Sequence, residues 1–154
     1  MGSTQAAIAV AGTIAGAEEL WYDLTRWPAF VDGFGHVTKQ DEDWPRAGTL
    51  VWDSNPGGRE RVIERVTYFE ARIGQDAEVE DGKLTGTQRL RFAALGDGRV
   101  EVALELRYAL KDRTPLTPLL DVFFIRRALG DSLRRTLVRF SRELAADREL
   151  AGGP

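Results

Sequence analysis

The chain has 154 residues, 43% of them hydrophobic, and a formal net charge of -3. This length and apolar content predict a single domain over residues 1–154, with an ordered part of about residues 5 to 145. Acids and bases are spread along the whole chain, which argues against a nucleic-acid-binding surface. There is no cysteine and only one histidine, which excludes disulfides and thiolate sites, so we expect no metal, no cofactor and a reducing compartment.

The first twenty residues, MGSTQAAIAVAGTIAGAEEL, contain a short apolar patch without a basic head. They therefore lack the form of a secretory signal peptide. No stretch approaches the eighteen or so consecutive apolar residues of a membrane-spanning helix. We expect a first strand over Gln5–Thr13 in a cytoplasmic protein with no integral membrane segment.

A short helix is predicted directly after this strand. Gly16 is followed by Glu18 and Glu19, and acids favour the first turn of a helix. Leu20 lies on the apolar side of this helix together with Trp21 and Leu24. Pro28 should end it, because the residue before a proline avoids helical geometry. A second helical turn is predicted at about residues 29 to 32.

An antiparallel sheet is predicted from Phe34 to Leu110. The turn-rich segments DEDWPRAG, SNPGG, EDGK and LGDG separate runs of alternating polarity. In RVEVALELRYAL every second residue from Val100 to Leu110 is apolar, and KLTGTQRLRFAAL repeats the alternation. Each strand should therefore have one buried and one solvated face.

A long amphipathic helix of some thirty residues is predicted after KDRTPLTP. Its apolar stripe recurs every three or four residues and comprises Val122, Leu129, Leu133, Leu137, Phe140 and Leu144, with Arg126 on the same stripe. This helix supplies the cover that the apolar face of the sheet needs. The fold class is therefore α+β.

The order of elements and four segments resemble the START-like superfamily, also called SRPBCC, which includes the polyketide cyclase/dehydrase and coenzyme-Q-binding groups. The segments are WYDLTRWPAFVDGF, RVIERVTYFEA, GDGRVEVALELRYAL and VFFIRRALGDSL. The resemblance implies the helix-grip fold, in which a curved antiparallel sheet of six or seven strands wraps around a long C-terminal helix. It also implies a cavity between sheet and helix for a hydrophobic small molecule, but no shared catalytic residues.

Glu64 is the most unusual of the residues predicted to line that cavity. Strict alternation in RERVIERVTY places Glu60, Glu64 and Tyr68 inward with Val62 and Val66, and places Arg59, Arg61, Arg65 and Thr67 outward with Ile63. Glu60 lies nearer the strand end and is expected at a solvated rim. A buried carboxylate must be paired, hydrated or protonated. Glu64 is thus a candidate ligand acceptor or general base. A β-bulge that turns it outward, or a structural pair with an arginine, is the alternative.

Other lining residues follow from alternation and helical spacing. Gln88 should point inward, either to orient a ligand carbonyl or to satisfy a neighbour, and the same is expected of Gln75 on the preceding strand. Arg126 is predicted to neutralise Glu64, to bind a ligand carboxylate, or to extend to solvent at the edge of the stripe. Gly130 indicates close approach by the sheet or a ligand. The full set of predicted ligand-binding residues is Trp27, Phe30, Trp52, Glu64, Tyr68, Gln88, Leu90, Leu106, Tyr108, Phe123, Arg126 and Gly130.

Three functions are compatible with this pattern. The first is a carrier or sensor of a lipid, quinone or polyketide-like molecule. The second is a cyclase, aromatase or dehydratase in which Glu64, Tyr108 or Arg126 moves protons. The third is a protein-interaction module that uses an exposed face of the sheet or the arginine-rich helix, with a vestigial cavity. The scarcity of acid–base groups favours the first.

Overall fold

The computed structural model of the protein describes residues 1–111 and 119–152, with the backbone alone for 119–122. The element order is β1 (Gly2–Ala11), α1 (Ile14–Trp21), a 3-10 turn (Leu24–Arg26), α2 (Trp27–Phe30), β2 (Phe34–Gln40), β3 (Thr49–Ser54), β4 (Arg61–Glu70), β5 (Gly74–Glu80), β6 (Leu84–Gly96), β7 (Arg99–Leu110) and α3 (Leu119–Ala151). The predicted KDRTPLTP turn lies largely outside the described residues.

The seven strands form one antiparallel sheet in the order β1-β7-β6-β5-β4-β3-β2. β1 joins the sheet beside β7 and begins at Gly2, opposite Tyr108, rather than at Gln5 as predicted. The remaining strands follow as consecutive hairpins. The predicted α+β helix-grip architecture, with short helices after β1 and a long C-terminal helix, is confirmed.

Local interactions determine where the two short helices begin and end. The Thr13 hydroxyl accepts a hydrogen bond from the backbone N–H of Gly16 and caps α1. α1 ends at Trp21, well before Pro28, and Pro28 instead occupies the first turn of α2, where its missing N–H costs nothing. The second helical turn therefore begins two residues earlier than predicted.

The space between the sheet and α3 is divided into two hydrophobic clusters. The larger cluster lies under the C-terminal half of α3, where Leu137, Phe140 and Leu144 pack with α1, α2 and the sheet. The smaller one lies under the first half of α3 and contains Val79, Leu84, Leu106 and Tyr108 with Ile125, Leu129 and Leu133. The helix thus contacts the sheet closely along one half and leaves room for a cavity near the other.

Candidate functional site

A half-open cavity of about 390 Å³ lies beside the smaller cluster, between the first half of α3 and one end of the sheet. The β3–β4 loop, the β5–β6 turn and the end of β7 form its other walls. Its described lining residues are Gly57, Gly58, Arg59, Asp81, Lys83, Leu84, Leu110, Ile125, Ala128 and Leu129. Apolar walls with a few polar groups are typical of sites for small organic molecules.

Arg59 and Asp81 are the paired charges of this cavity. Arg59 Nε donates a 2.7 Å hydrogen bond to Asp81 Oδ2, and the Asp81 side chain is only 2% exposed. Asp81 Oδ1 accepts hydrogen bonds from the backbone N–H groups of Lys83 and Leu84. Because three donors hold the Asp81 carboxylate, it fixes the position of the guanidinium.

The guanidinium of Arg59 is held on a second side by Trp52, whose ring centroid is 5.8 Å from Arg59 Cζ. Its Nη2 atom is buried and has no hydrogen-bond partner within residues 1–111 and 119–152. A buried donor without an acceptor costs free energy. Within the described residues, the structure thus leaves one buried N–H group of Arg59 unsatisfied.

Glu64 lies next to this pair. It is 7% exposed, and its Oε2 atom accepts a 2.6 Å hydrogen bond from Trp52 Nε1. Burial raises the pKa of the Glu64 carboxyl above its ordinary value, and the Trp52 hydrogen bond and the positive charge of Arg59 offset this only in part. The carboxyl group is thus buried as predicted, but Glu64 does not line the cavity.

Tyr108 is buried, and its hydroxyl has no partner in the described part of the chain. The ring lies over β1, where a Cβ built on Gly2 would fall 2.6 Å from the hydroxyl oxygen. Burial raises the pKa of Tyr108, and the charge of Arg126 lowers it in part. Tyr108 packs with the smaller cluster but does not line the cavity.

Two orientations predicted by strict alternation on β4 are wrong. A register shift between Val66 and Tyr68 turns Tyr68 outward, where its hydroxyl donates to Glu70 and Arg91 lies over its ring. At the other end, Glu60 has a φ of 67° and is exposed. The left-handed residue reverses the alternation, so Arg59 points into the site instead of out of it.

Trp27 and Phe30 were predicted to bind the ligand, but both are core residues. Trp27 Nε1 donates to the carbonyl of Trp21, and its ring packs edge-on against Trp52. Phe30 is fully buried between Trp21 and Phe140. Both side chains belong to the larger hydrophobic cluster, under the C-terminal half of α3.

The polar side chains predicted on β5 and β6 differ in their surroundings. Gln75 is buried, and its amide donates to the carbonyl of Pro45, so it satisfies a loop. Gln88 is half-buried, opposite Leu106 of β7. Leu90 and Leu106 are buried, the first in the larger cluster and the second in the smaller one.

On α3, Arg126 and Phe123 are exposed, and neither lines the cavity. The charge that acts on Glu64 is that of Arg59, so of the three roles predicted for Arg126 the pairing with Glu64 is wrong, while its exposure agrees with extension to solvent at the edge of the stripe. The close approach predicted at Gly130 is present, and it is made by β1 of the sheet. A Cβ built on Gly130 would lie 2.8 Å from Thr4 Oγ1.

Arg59 and Asp81 were not among the predicted site residues. SNPGG ends directly before Arg59, a signal that the regular strand starts only after it. Asp81 opens the turn DGK, and aspartate commonly accepts from the backbone N–H two residues on. Both signals come from turns, and the alternation of side chains along a strand gives no information about turn geometry.

The arginines of the second half of α3 are partly neutralised. Asp32 receives hydrogen bonds from Arg135, Arg139 and Ser132, and its backbone N–H donates to Thr136 Oγ1. Asp131 pairs with Arg134. The contacts of Asp32 tie the loop after α2 to the long helix.

Comparison with known proteins shows the fold. No family model matches the chain, and no curated protein matches it in sequence. Solved structures do match: a START superfamily protein from Mycobacterium smegmatis has 13% sequence identity and a TM-score of 0.70 over 94% of this chain and 97% of that one. The Zhui aromatase/cyclase from Streptomyces sp. R1128 has 13% identity and a TM-score of 0.72, covering 99% of both chains.

Norcoclaurine synthase from Thalictrum flavum, in truncated form, has 11% identity and a TM-score of 0.68 over 93% of this chain and 92% of that one. The chain therefore has the START-like, or SRPBCC, helix-grip fold that its sequence resembles. At these identities the likeness establishes the fold and not a ligand or a reaction.

Two further properties concern the described residues only. Neither α3 nor the shorter helices contain a segment of the length and apolarity needed to cross a bilayer. Within residues 1–111 and 119–152, no three acidic or histidine side chains cluster in a way that would hold a metal ion.

Proposed function

We propose that the protein binds a hydrophobic small molecule, as a carrier or sensor, in the cavity between the sheet and the first half of α3. The observation that carries this proposal is the cavity itself: about 390 Å³, with apolar walls and one anchored cation. Cavities of roughly 300 to 1,000 Å³ with this character are typical of small-molecule sites. The ligand is of the lipid, quinone or polyketide-like class.

Filling the cavity tests the proposal. Ala128 lines the cavity and is exposed, so Ala128→Trp adds an indole to the wall without crowding the core. Ala145 is an exposed alanine of the same helix away from the cavity, and Ala145→Trp is the matched control. An environment-sensitive apolar fluorophore should bind the wild type and the control and lose at least about tenfold in affinity with Ala128→Trp.

Native mass spectrometry of the protein purified from its own cells provides the second measurement. A co-purified apolar molecule that is retained by Ala145→Trp and absent from Ala128→Trp supports the proposal. Equal fluorophore binding by both variants, together with spectra of protein alone, would contradict it.

Acid–base catalysis in the same cavity is the second candidate function, and the buried Glu64 with its raised pKa favours it. This function requires a substrate to reach Glu64 past Arg59 and Trp52. Glu64→Gln keeps an acceptor for the Trp52 indole, so it should abolish turnover of a polyketide-like substrate while leaving its affinity nearly unchanged. An unchanged rate would remove Glu64 as the base.

A further inference from the structure

Two adjacent aromatic side chains near the start of α3 are exposed to solvent. Phe123 is 70% exposed and Phe124 is 66% exposed, although burial of a phenylalanine side chain is strongly favourable. Among the large hydrophobic residues that the structure describes, only Met1 and Leu150 are more exposed. Single exposed apolar residues are common, but a contiguous exposed pair of phenylalanines indicates a surface that contacts an apolar partner.

Two arginines lie beside this pair. Arg127 follows Phe123 by four residues and Phe124 by three, and Arg126 follows Phe123 by three, so these side chains are neighbours on the helix surface. Both arginines are exposed. The segment FFIRRALG, residues 123 to 130, contains two positive charges and no negative one. The two phenylalanines and the two arginines, called the α3 patch below, are thus apolar and cationic in a chain whose net charge is -3.

The α3 patch borders the cavity. Ile125, which lies between Phe124 and Arg126 in the chain, lines the cavity wall, and Ala128 lines it three residues further on. Lys83, an exposed cation of the β5–β6 turn, lines the same cavity from the side of the sheet. The cavity and the α3 patch are therefore neighbouring features of one end of the molecule, and that end carries further positive charge.

The chemistry of the α3 patch favours one kind of partner. Two adjacent phenylalanines need an apolar medium, and the arginines beside them need anions. A second copy of the chain would bring its own arginines against these, and like charges repel each other. The exposed side of a helix is convex, so it offers no groove in which a peptide could lie. The surface of an anionic bilayer supplies both an apolar layer and negative charge.

We propose that the α3 patch docks the protein on the surface of an anionic lipid bilayer. Phe123 and Phe124 enter the boundary between headgroups and acyl chains, and Arg126 and Arg127 contact the anionic headgroups. Two apolar side chains give weak and reversible binding, which differs from the crossing of a membrane. The inference extends the proposed function, because docking places the cavity beside a lipid phase, and it does not depend on which molecule the cavity holds.

Vesicle flotation tests the inference with phosphatidylcholine vesicles and with vesicles of an equal mixture of phosphatidylcholine and phosphatidylglycerol. The wild type should bind the mixed vesicles at least about tenfold more tightly than the neutral ones, and added salt should weaken this binding by screening the charges. Phe123→Ser/Phe124→Ser should lower the affinity for mixed vesicles at least about tenfold. Phe123→Trp/Phe124→Trp should preserve it, since tryptophan favours membrane interfaces. Leu95→Ser/Leu150→Ser, which removes two exposed apolar side chains elsewhere, is the matched control and should leave it unchanged.

The arginines have a matched control of their own. Arg126→Gln/Arg127→Gln should weaken binding to the mixed vesicles at least about tenfold, because each basic residue near an anionic surface contributes to the affinity. Arg142→Gln/Arg148→Gln changes the net charge by the same amount at two exposed positions near the other end of α3. This control should bind the mixed vesicles like the wild type, which separates a local contact from an effect of net charge.

Equal binding to both kinds of vesicle, no binding to either, or equal losses in the α3 patch variants and their controls would overturn the inference. A wild-type dimer that dissociates in Phe123→Ser/Phe124→Ser, measured by sedimentation in the absence of vesicle binding, would assign the α3 patch to a second copy instead. The proposed function is tested separately, because neither phenylalanine lines the cavity. The apolar fluorophore should therefore bind the serine variant as it binds the wild type, whatever the vesicles show.

Discussion

The indole Nε1 of Trp52 donates a 2.6 Å hydrogen bond to the carboxyl of Glu64, and both groups are buried. Trp52 lies opposite Val62 on the neighbouring strand, and Glu64 lies opposite Leu50, so the two partners are diagonal neighbours on one face of the β3–β4 pair. The same indole ring also contacts the guanidinium of Arg59. Trp52 therefore links the core of the protein to the polar end of its cavity.

Removing the indole N–H should leave the buried carboxyl without its donor. We expect Trp52→Phe to lower the free energy of unfolding by about 2 to 4 kcal/mol, from the lost hydrogen bond and the smaller ring. Adding Glu64→Leu should restore part of this loss, because an apolar pair leaves no unsatisfied polar atom. Urea unfolding of the single and double variants measures both effects.

Trp27→Phe is the matched control for this comparison, since the Trp27 indole donates to a backbone carbonyl and not to Glu64. Glu64→Leu should not restore its stability. A double variant Trp52→Phe/Glu64→Leu that loses the full sum of the two single losses would show that the pair is not coupled.

The raised pKa of Glu64 predicts a pH-dependent loss of stability. The folded protein holds the Glu64 proton to higher pH than the unfolded chain, whose pKa is near 4.5. The contribution of Glu64 to stability is therefore greatest below that pH and falls as pH rises toward the folded pKa. Glu64→Gln should abolish this component, so the stability of the variant relative to wild type should increase between about pH 4.5 and neutral pH, measured by urea unfolding. A difference that does not change with pH would contradict the burial of the carboxyl.

Asp32 should have the opposite pH dependence. Burial opposes the charge of Asp32, but hydrogen bonds from Arg135 and Ser132 and the charges of Arg135 and Arg139 outweigh it and lower its pKa below 3.8. Its contribution to stability is present above the unfolded pKa and is lost as pH falls through the folded pKa. The stability advantage of wild type over Asp32→Asn should hence shrink as pH falls below the unfolded pKa of 3.8 and toward the lower folded pKa. An advantage that grows on acidification would exclude this assignment.

Gly130 allows close contact between α3 and β1. Alanine there should gain roughly 1 kcal/mol from helix propensity and lose more from contact with the Thr4 hydroxyl, 2.8 Å from the new Cβ. Gly130→Ala should therefore lower the melting temperature. In the background of Thr4→Ala the same change should raise the melting temperature, because the Thr4 hydroxyl that would contact the new Cβ is absent. Equal effects in both backgrounds would place the conflict elsewhere.

The sequence predicted the orientation of some side chains near the cavity and not of others. Burial of Glu64 followed from the alternation with Val62, and the structure confirms it. The inward position of Arg59 did not follow, because it depends on a left-handed backbone at Glu60. The outward position of Tyr68 depends on a bulge, and one extra residue reverses every later side chain of a strand.

Local periodicity determined the secondary structure of this protein, and with it the helix-grip order of strands and helices. Alternation and helical spacing are properties of neighbouring residues, so the chain alone contains them. Tertiary structure decided where the interior is filled and where it is open. Trp27 and Phe30 became core because α3 contacts the sheet at its C-terminal half. Arg59 is held at the cavity because Asp81, 22 residues away, binds it. Such pairings depend on distances between segments, which no local pattern specifies.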